Sequence, residues 1–278
     1  MQLIESIPAM KEISRRLQSS GSLGFVPTMG YLHEGHLSLV DASVKENPHT
    51  VASIFVNPAQ FGKNEDLSTY PRDLERDLKH LQSRGVDYVF YPQASDIYPE
   101  DYGTWVDVDK LGDLHCGKSR PGHFRGVCTI VLKLVNIIMP GFMYMGAKDF
   151  QQLVILQKML QDLNLDTQIV PCPIVREDDG LAMSSRNTYL DADERKRALC
   201  LSQALAHSRQ LFMDGMRDSR QLIKAAAEII NNAGGQIDYI ECVHPQSLLP
   251  VELAEADTRM LMAVYIGRTR LIDNAPMA

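Results

Sequence analysis

Short apolar runs alternate with amphipathic segments, and this alternation constrains the chain most. The clearest unit begins at Leu23. Leu23 to Val26 reads as a buried strand and Pro27 to Gly30 as a turn. From Glu34 to about Val44 the residues Leu37, Val40 and Val44 share one side of a helix. Further buried runs follow at Thr50–Val56, Val86–Tyr91, Phe142–Met145 and Gln168–Val170. Helical patterns separate them, at about Asp73–Arg84, Phe124–Ile138 and Asp149–Leu163, and residues 7–20 read as a first amphipathic helix between Pro8 and Gly21. Strands alternating with helices predict βαβ units, an α/β fold whose parallel sheet is covered on both faces. The stretch Pro92–Pro121 lacks either period and reads as a functional loop or a small insertion.

Beyond Val175 the pattern changes. Helical segments over about Asp193–Met213 and Ser219–Asn232 precede two alternating runs, Ile237–Val243 and Met260–Ile266, which predict a small antiparallel sheet. The expected organisation is therefore a domain over 1–175 and a smaller α+β domain over 176–278, divided in the polar stretch Arg176–Asn187.

The 278 residues suffice for such an arrangement. A net charge of −7 lacks the basic footprint of a general nucleic-acid binder, so any phosphate binding must be local. Five scattered cysteines (Cys116, Cys128, Cys172, Cys200, Cys242) suit buried thiols in a reducing compartment better than a disulfide framework. Lys11, Glu12, Arg15 and Arg16 interrupt the N-terminal region, so no signal peptide is evident there. Lys133, Asn136 and Pro140 break the most apolar stretch, which is no membrane span. The expected address is the cytoplasm.

Ligands of open parallel sheets sit beyond the carboxyl ends of the strands. Four polar clusters fall at predicted strand ends or at the domain boundary: Thr28–His36, Asn57–Gln60, Gly146–Gln152 and Met183–Arg186. In the first, Gly30 and Gly35 let a nucleotide approach the backbone. His33 and His36 stand at the entrance of a helix, where free N–H groups favour phosphate. His-x-x-His can also be half of a metal site, or two surface histidines, but no Cys/His cluster supplies the remaining ligands for zinc. Gln60 offers an acceptor and donors, although Asn57 beside it serves equally well as a turn or cap. Lys148 can neutralise phosphate and Asp149 can grip ribose hydroxyls or simply cap a helix. Ser184, Ser185 and Arg186 suit phosphate oxygens, or form a polar linker. Arg120-Pro121-Gly122-His123-Phe124 marks another helix start that can meet an anion. Asp178-Asp179 reads as an acidic turn rather than a metal pair, and Met139, Met143 and Met145 as core filling.

His33-Glu34-Gly35-His36 resembles the His-x-Gly-His signature of the nucleotidyltransferase superfamily, in which adenylates are made. Six blocks in order narrow this. They are Phe25-Val26-Pro27-Thr28-Met29-Gly30 with that signature, Ile54 through Phe61, Tyr70-Pro71-Arg72, Arg120 through Phe124, Gly146-Ala147-Lys148-Asp149-Phe150-Gln151-Gln152, and Val175-Arg176-Glu177 through Met183-Ser184-Ser185-Arg186-Asn187. Together they resemble the pantothenate synthetase (pantoate–β-alanine ligase) family over essentially the whole chain.

The resemblance implies a Rossmann-like N-terminal domain, a smaller C-terminal lid and a homodimer. It implies ATP with Mg²⁺, and pantoate and β-alanine as substrates. It places ATP on Met29, Gly30, Tyr31, Leu32, His33, Glu34, Gly35 and His36, with His36 as proton donor. Gly146, Ala147, Lys148, Asp149, Val175, Met183, Ser184, Ser185 and Arg186 complete the nucleotide site. Gln60 binds pantoate and β-alanine, and Gln152 binds pantoate. No protein ligand for a metal is implied. Of these residues, His33, His36, Lys148, Ser184, Ser185 and Arg186 have the chemistry to stabilise charge moving onto phosphates. Two other readings of the same residues stand beside it: a nucleotidyltransferase acting on a phosphorylated acceptor, and a nucleotide-sensing domain without turnover.

Overall fold

The computed structural model describes residues 1–18, 21–63 and 65–278. In chain order the strands and helices are β1 (Gln2–Ile4), α1 (Ile7–Gln18), β2 (Leu23–Thr28), α2 (Glu34–Glu46), β3 (His49–Ile54), α3 (Leu74–Ser83), β4 (Tyr88–Phe90), α4 (Ala94–Ile97), α5 (His115–Ser119), α6 (His123–Ile138), β5 (Phe142–Gly146), α7 (Phe150–Asp162) and β6 (Gln168–Cys172). These are followed by α8 (Ala192–Ala198), α9 (Cys200–Met213), α10 (Ser219–Asn232), β7 (Gln236–Val243), β8 (Arg259–Ile266) and β9 (Thr269–Pro276). The chain divides into two compact units. One comprises 1–113, 120–147 and 152–173; the other comprises 114–119, 148–151 and 174–278.

The first unit holds a six-stranded sheet in the order β1-β4-β3-β2-β5-β6, parallel throughout. β2 and β3 lie in its middle with strands on either side, and nearly every residue of both is buried. From β2 the chain adds β3 and β4 on one side and later returns to add β5 and β6 on the other. That reversal is the switch point at which such sheets open a crevice beyond their strand ends. Val26, Leu37, Val40, Ala52, Leu81, Val89 and Tyr144 pack in one buried cluster, which fixes α2 and α3 against the sheet. The expected side of α2 is the buried one, with Val44 only partly covered.

The second unit is a three-stranded antiparallel sheet, β7-β8-β9. Leu201, Leu205, Leu222, Ala226 and Ile230 of α9 and α10 share a buried cluster with Met260, Met262 and Val264 of β8.

One local expectation needs correction, two strands were not anticipated, and one predicted span runs beyond the described residues. The first helix is described as far as Gln18, and positions 19 and 20 of the predicted span lie outside the described residues. β1 was not anticipated, because three residues are too few to display a period. The helix expected over 193–213 is two helices meeting at Leu199, whose N–H reaches back three residues to the Lys196 carbonyl at 3.3 Å. β9 escaped notice because Asp273-Asn274-Ala275-Pro276 resembles a turn. It instead pairs with β8 through the two-residue loop Gly267-Arg268.

Candidate functional site

The loops after β3, β2 and β5 leave the carboxyl edge of three neighbouring strands. Thr28, the last residue of β2, anchors the first of them. Its hydroxyl donates to the Ser53 carbonyl at 2.7 Å and accepts from the Gly30 N–H at 3.2 Å. Gly30 (φ +82°) and Tyr31 (φ +50°) then both take the left-handed conformation, which is costly for tyrosine. Asp77 of α3 holds the strained turn. Its carboxylate accepts from the Tyr31 and Leu32 N–H groups, each at 2.7 Å. Arg76 donates to the Leu32 carbonyl at 3.1 Å and lies over the Tyr31 ring. The Asp77 side chain is buried, and burial pushes its carboxyl up despite the two N–H groups and Arg76. A folded-state pKa raised in this way gives stability below the ordinary value of 3.8 that is lost as pH rises through the raised one. At neutral pH the ionised Asp77 therefore holds the loop at some cost to stability.

The turn delivers His33 and His36 to the start of α2, where they form a capping box in which imidazoles replace the usual hydroxyl and carboxylate. His33 Nδ1 accepts from the Gly35 N–H at 3.1 Å, and His36 Nδ1 accepts from the His33 N–H at 3.4 Å. The ring centroids are 4.0 Å apart. With both Nδ1 atoms facing N–H donors, each neutral ring carries its proton on Nε2. Glu34 accepts from Arg84 at 3.0 Å, and Leu32 is fully buried with its N–H and carbonyl paired to Asp77 and Arg76.

Gln60 ends a single 3₁₀ turn, Pro58–Gln60, after β3. Its Nε2 donates to Met29 Sδ at 3.2 Å, which brings the β3 turn against the β2 loop. α6 passes so close that a Cβ on Gly126 would lie 2.3 Å from the Ala59 carbonyl oxygen. His123, at the start of α6, has Nδ1 2.8 Å from the Gln60 carbonyl, and Arg120 reaches its Nε2 at 3.0 Å. Arg120 binds Glu65 through two bonds, of 2.7 and 2.6 Å. The Arg120 segment reads as a helix start that can meet an anion, and the anion its guanidinium meets in the structure is the Glu65 carboxylate. Burial alone would push the Glu65 carboxyl up, but Arg120, His123 and the Gly62 N–H outweigh it and hold it low. A depressed folded-state value gives stability above the ordinary 4.5 that is lost as pH falls through it. Glu65→Gln is accordingly expected to flatten the acid limb. The urea midpoint of the parent should fall more steeply below about pH 4.5 than that of the variant; parallel curves would contradict this.

Gly146 closes β5 and Ala147 opens the 3₁₀ turn after it; space around Gly146 is open, with nothing within 4 Å of a Cβ built there. Gln152, in α7, is half-buried. The remaining expected residues lie in the second unit. Lys148 is half-buried and its carbonyl accepts from Asn274 at 2.9 Å, whereas Asp149 is exposed at the end of a 3₁₀ turn leading to α7. The Met183 N–H donates to the Val175 carbonyl at 3.0 Å, so Val175 and Met183 face each other across a tight reversal. Ser184 then caps the turn Ser185–Tyr189, accepting from the Arg186 N–H at 3.3 Å, with Ser185 buried. Ion pairs brace this reversal. Arg176 grips the buried Asp273 through bonds of 2.6 and 2.9 Å, and Arg195 binds Glu177 and Asp179, each at 2.7 Å. Asp179 is thereby part of a paired acidic turn. Met143 and Met145 are core, while Met139 is half-buried at the end of α6.

Sequence reasoning passed over Asp77. A signal for Asp77 exists: it stands four residues before Leu81, on the buried stripe of α3, where an acid is out of place.

The family model for pantoate-beta-alanine ligase matches residues 2–276. A pantothenate synthetase of Caldicellulosiruptor saccharolyticus is 53% identical over 99% of this chain and 98% of its own length. One from Geotalea uraniireducens is 54% identical with the same coverage. The crystal structure of pantothenate synthetase from Thermus thermophilus superposes with a TM-score of 0.96 at 42% identity, covering 100% of this chain and 99% of that one. That of pantoate-beta-alanine ligase from Francisella tularensis, complexed with beta-gamma ATP and beta-alanine, gives 0.85 at 34% identity, covering 100% and 98%. With a family model spanning nearly all its residues and relatives this similar end to end, the chain belongs to the pantoate-beta-alanine ligase family.

Proposed function

We propose that this protein joins pantoate to β-alanine at the expense of ATP, through a pantoyl adenylate, releasing pyrophosphate and AMP. One observation carries the reading: a helix entrance capped by His33 and His36 adjoins a neutral amide donor, Gln60, through Met29. The first feature suits a triphosphate and the second a polyhydroxy acid. Family membership supports it, as does the Francisella relative's complex.

A pantoate carboxylate oxygen attacks the α-phosphorus, and the bond to the bridging oxygen of pyrophosphate breaks. Negative charge gathers on the departing phosphates, where the N-terminus of α2 and the Nε2–H groups of His33 and His36 stabilise it. Because its Nδ1 meets the His33 N–H, the proton His36 presents is the one on Nε2. Gln60 and Gln152 hydrogen-bond pantoate, and Met29 and Phe61 pack its two methyls. Residues Met29–His36 and Gly146–Asp149, Val175 and Met183–Arg186 hold the nucleotide. Lys148, Ser184, Ser185 and Arg186 add donors and positive charge to its phosphates. The β-alanine amine then attacks the activated carbonyl, the amide forms and AMP leaves.

Among the described residues no three His, Cys, Asp or Glu side chains group to hold a metal ion. Mg²⁺ is carried over from the family; on the nucleotide's phosphate oxygens it would offset their charge. The five cysteines are free and buried, which supports the cytoplasmic address. No described helix is long and apolar enough to cross a membrane. The homodimer is carried over from the family.

The oxygen that attacks phosphorus stays with AMP. Pantoate labelled with ¹⁸O in its carboxylate should therefore yield labelled AMP once β-alanine is added. Unlabelled AMP would exclude the adenylate.

A further inference from the structure

A glutamine amide can meet a ligand as donor or as acceptor, and its surroundings decide which. Gln60 Oε1 accepts from Asn57 Nδ2 at 3.0 Å, leaving Nε2 as the outward donor. Two backbone groups contribute to the orientation of Asn57. Its Oδ1 accepts from the Ala59 N–H at 3.3 Å, and its Nδ2 donates to the Gly126 carbonyl at 3.2 Å. A flipped Asn57 amide would set donor against donor at Ala59 and acceptor against acceptor at Gly126. Asn57 is 1% exposed, so neither mismatch could be relieved by water.

One further bond completes the shell. The Tyr98 hydroxyl donates to Asn57 Oδ1 at 2.8 Å. The Tyr98 ring is itself held: it stacks on Trp105, meets Tyr102 edge-on and Phe55 obliquely, and lies beneath Lys133. Burial pushes the phenol up, so it remains an O–H donor over the working range of pH. The hydrogen bonds thus run in one direction, from Tyr98 O–H through the Asn57 amide to Gln60 Nε2–H.

From this chain of bonds we infer that Tyr98 is a positioning residue for pantoate: through Asn57 it commits Gln60 to act as a hydrogen-bond donor toward an acceptor oxygen of that substrate. The inference rests on the proposed function, and it restricts what Gln60 can recognise. A carboxylate or hydroxyl oxygen fits; a group that can only donate does not.

Tyr98→Phe removes the hydroxyl and leaves the ring packing. It should raise the KM for pantoate about tenfold, with the KM for ATP and the unfolding temperature unchanged. In a Gln60→Ala background the same change should alter the pantoate KM less than about twofold, since the residue it acts through is gone. Pantoate titration by calorimetry serves for slow variants. An unchanged pantoate KM in Tyr98→Phe would overturn the inference. So would a tenfold loss that persists beside Gln60→Ala, or a joint rise of both KM values with lost stability. A parent enzyme that releases no pyrophosphate on adding pantoate would instead overturn the proposed function.

Discussion

Replacing His36 with alanine should slow pantoate-dependent pyrophosphate release by about 10²-fold or more. The substitution removes the Nε2–H donor from the helix entrance at which charge develops on the phosphates. It also removes the acceptor for the His33 N–H, so a loss of capping, costing about 1 kcal/mol, is expected alongside. His36→Glu separates the two effects. Glutamate is the usual partner at this position of a capping box, so the helix start is restored. Yet its carboxylate repels phosphate, so stability should return to that of the parent while pyrophosphate release stays at the alanine level or below. Near-normal release by His36→Ala would remove His36 from the chemistry.

The second large effect is expected at Asp77, which need never touch a ligand. Its carboxylate holds the N–H groups of Tyr31 and Leu32. Without it the strained Tyr31 turn relaxes and the two imidazoles lose their register with the sheet edge. Displacements near 1 Å at a reacting centre cost on the order of 10²-fold. Asp77→Ala should therefore lose about 10–10²-fold in kcat/KM. Asp77→Asn, which keeps one acceptor oxygen and sets an NH₂ against the other N–H, should fall between. Because the ionised carboxylate is buried at a cost, stability should change less than activity. An active Asp77→Ala enzyme with normal KM for ATP would show that the loop holds its shape unaided.

How much of this was legible depended on whether the determining contact was local. The β2–turn–α2 unit could be read from Leu23 to Val44, because its apolar run, its glycine turn and its helical stripe are each properties of neighbouring residues. The placement of His33 and Gln60 at strand ends followed from the same alternation. Their precise chemistry did not. That both imidazoles face backbone N–H groups through Nδ1 depends on how α2 begins, and nothing in the spacing of two histidines specifies it. The orientation of Gln60 depends on Tyr98 and Gly126, 38 and 66 positions further along the chain. Arg120 looked like an anion site because Glu65, its partner, is 55 residues away. The strand that holds Asp273 was not read at all, and Arg176, which binds Asp273, is 97 residues away. Long-range pairing is where sequence patterns stop being informative.

The central claim is adenylation of pantoate followed by amide formation. It is tested most directly by following pyrophosphate and AMP from ATP, Mg²⁺ and D-pantoate, with and without β-alanine. The expected result is pyrophosphate release that requires pantoate, and sustained AMP release only when β-alanine is also present. No pantoate-dependent pyrophosphate, with ATP still bound, would contradict the account and leave a phosphorylated acceptor or a nucleotide sensor in its place.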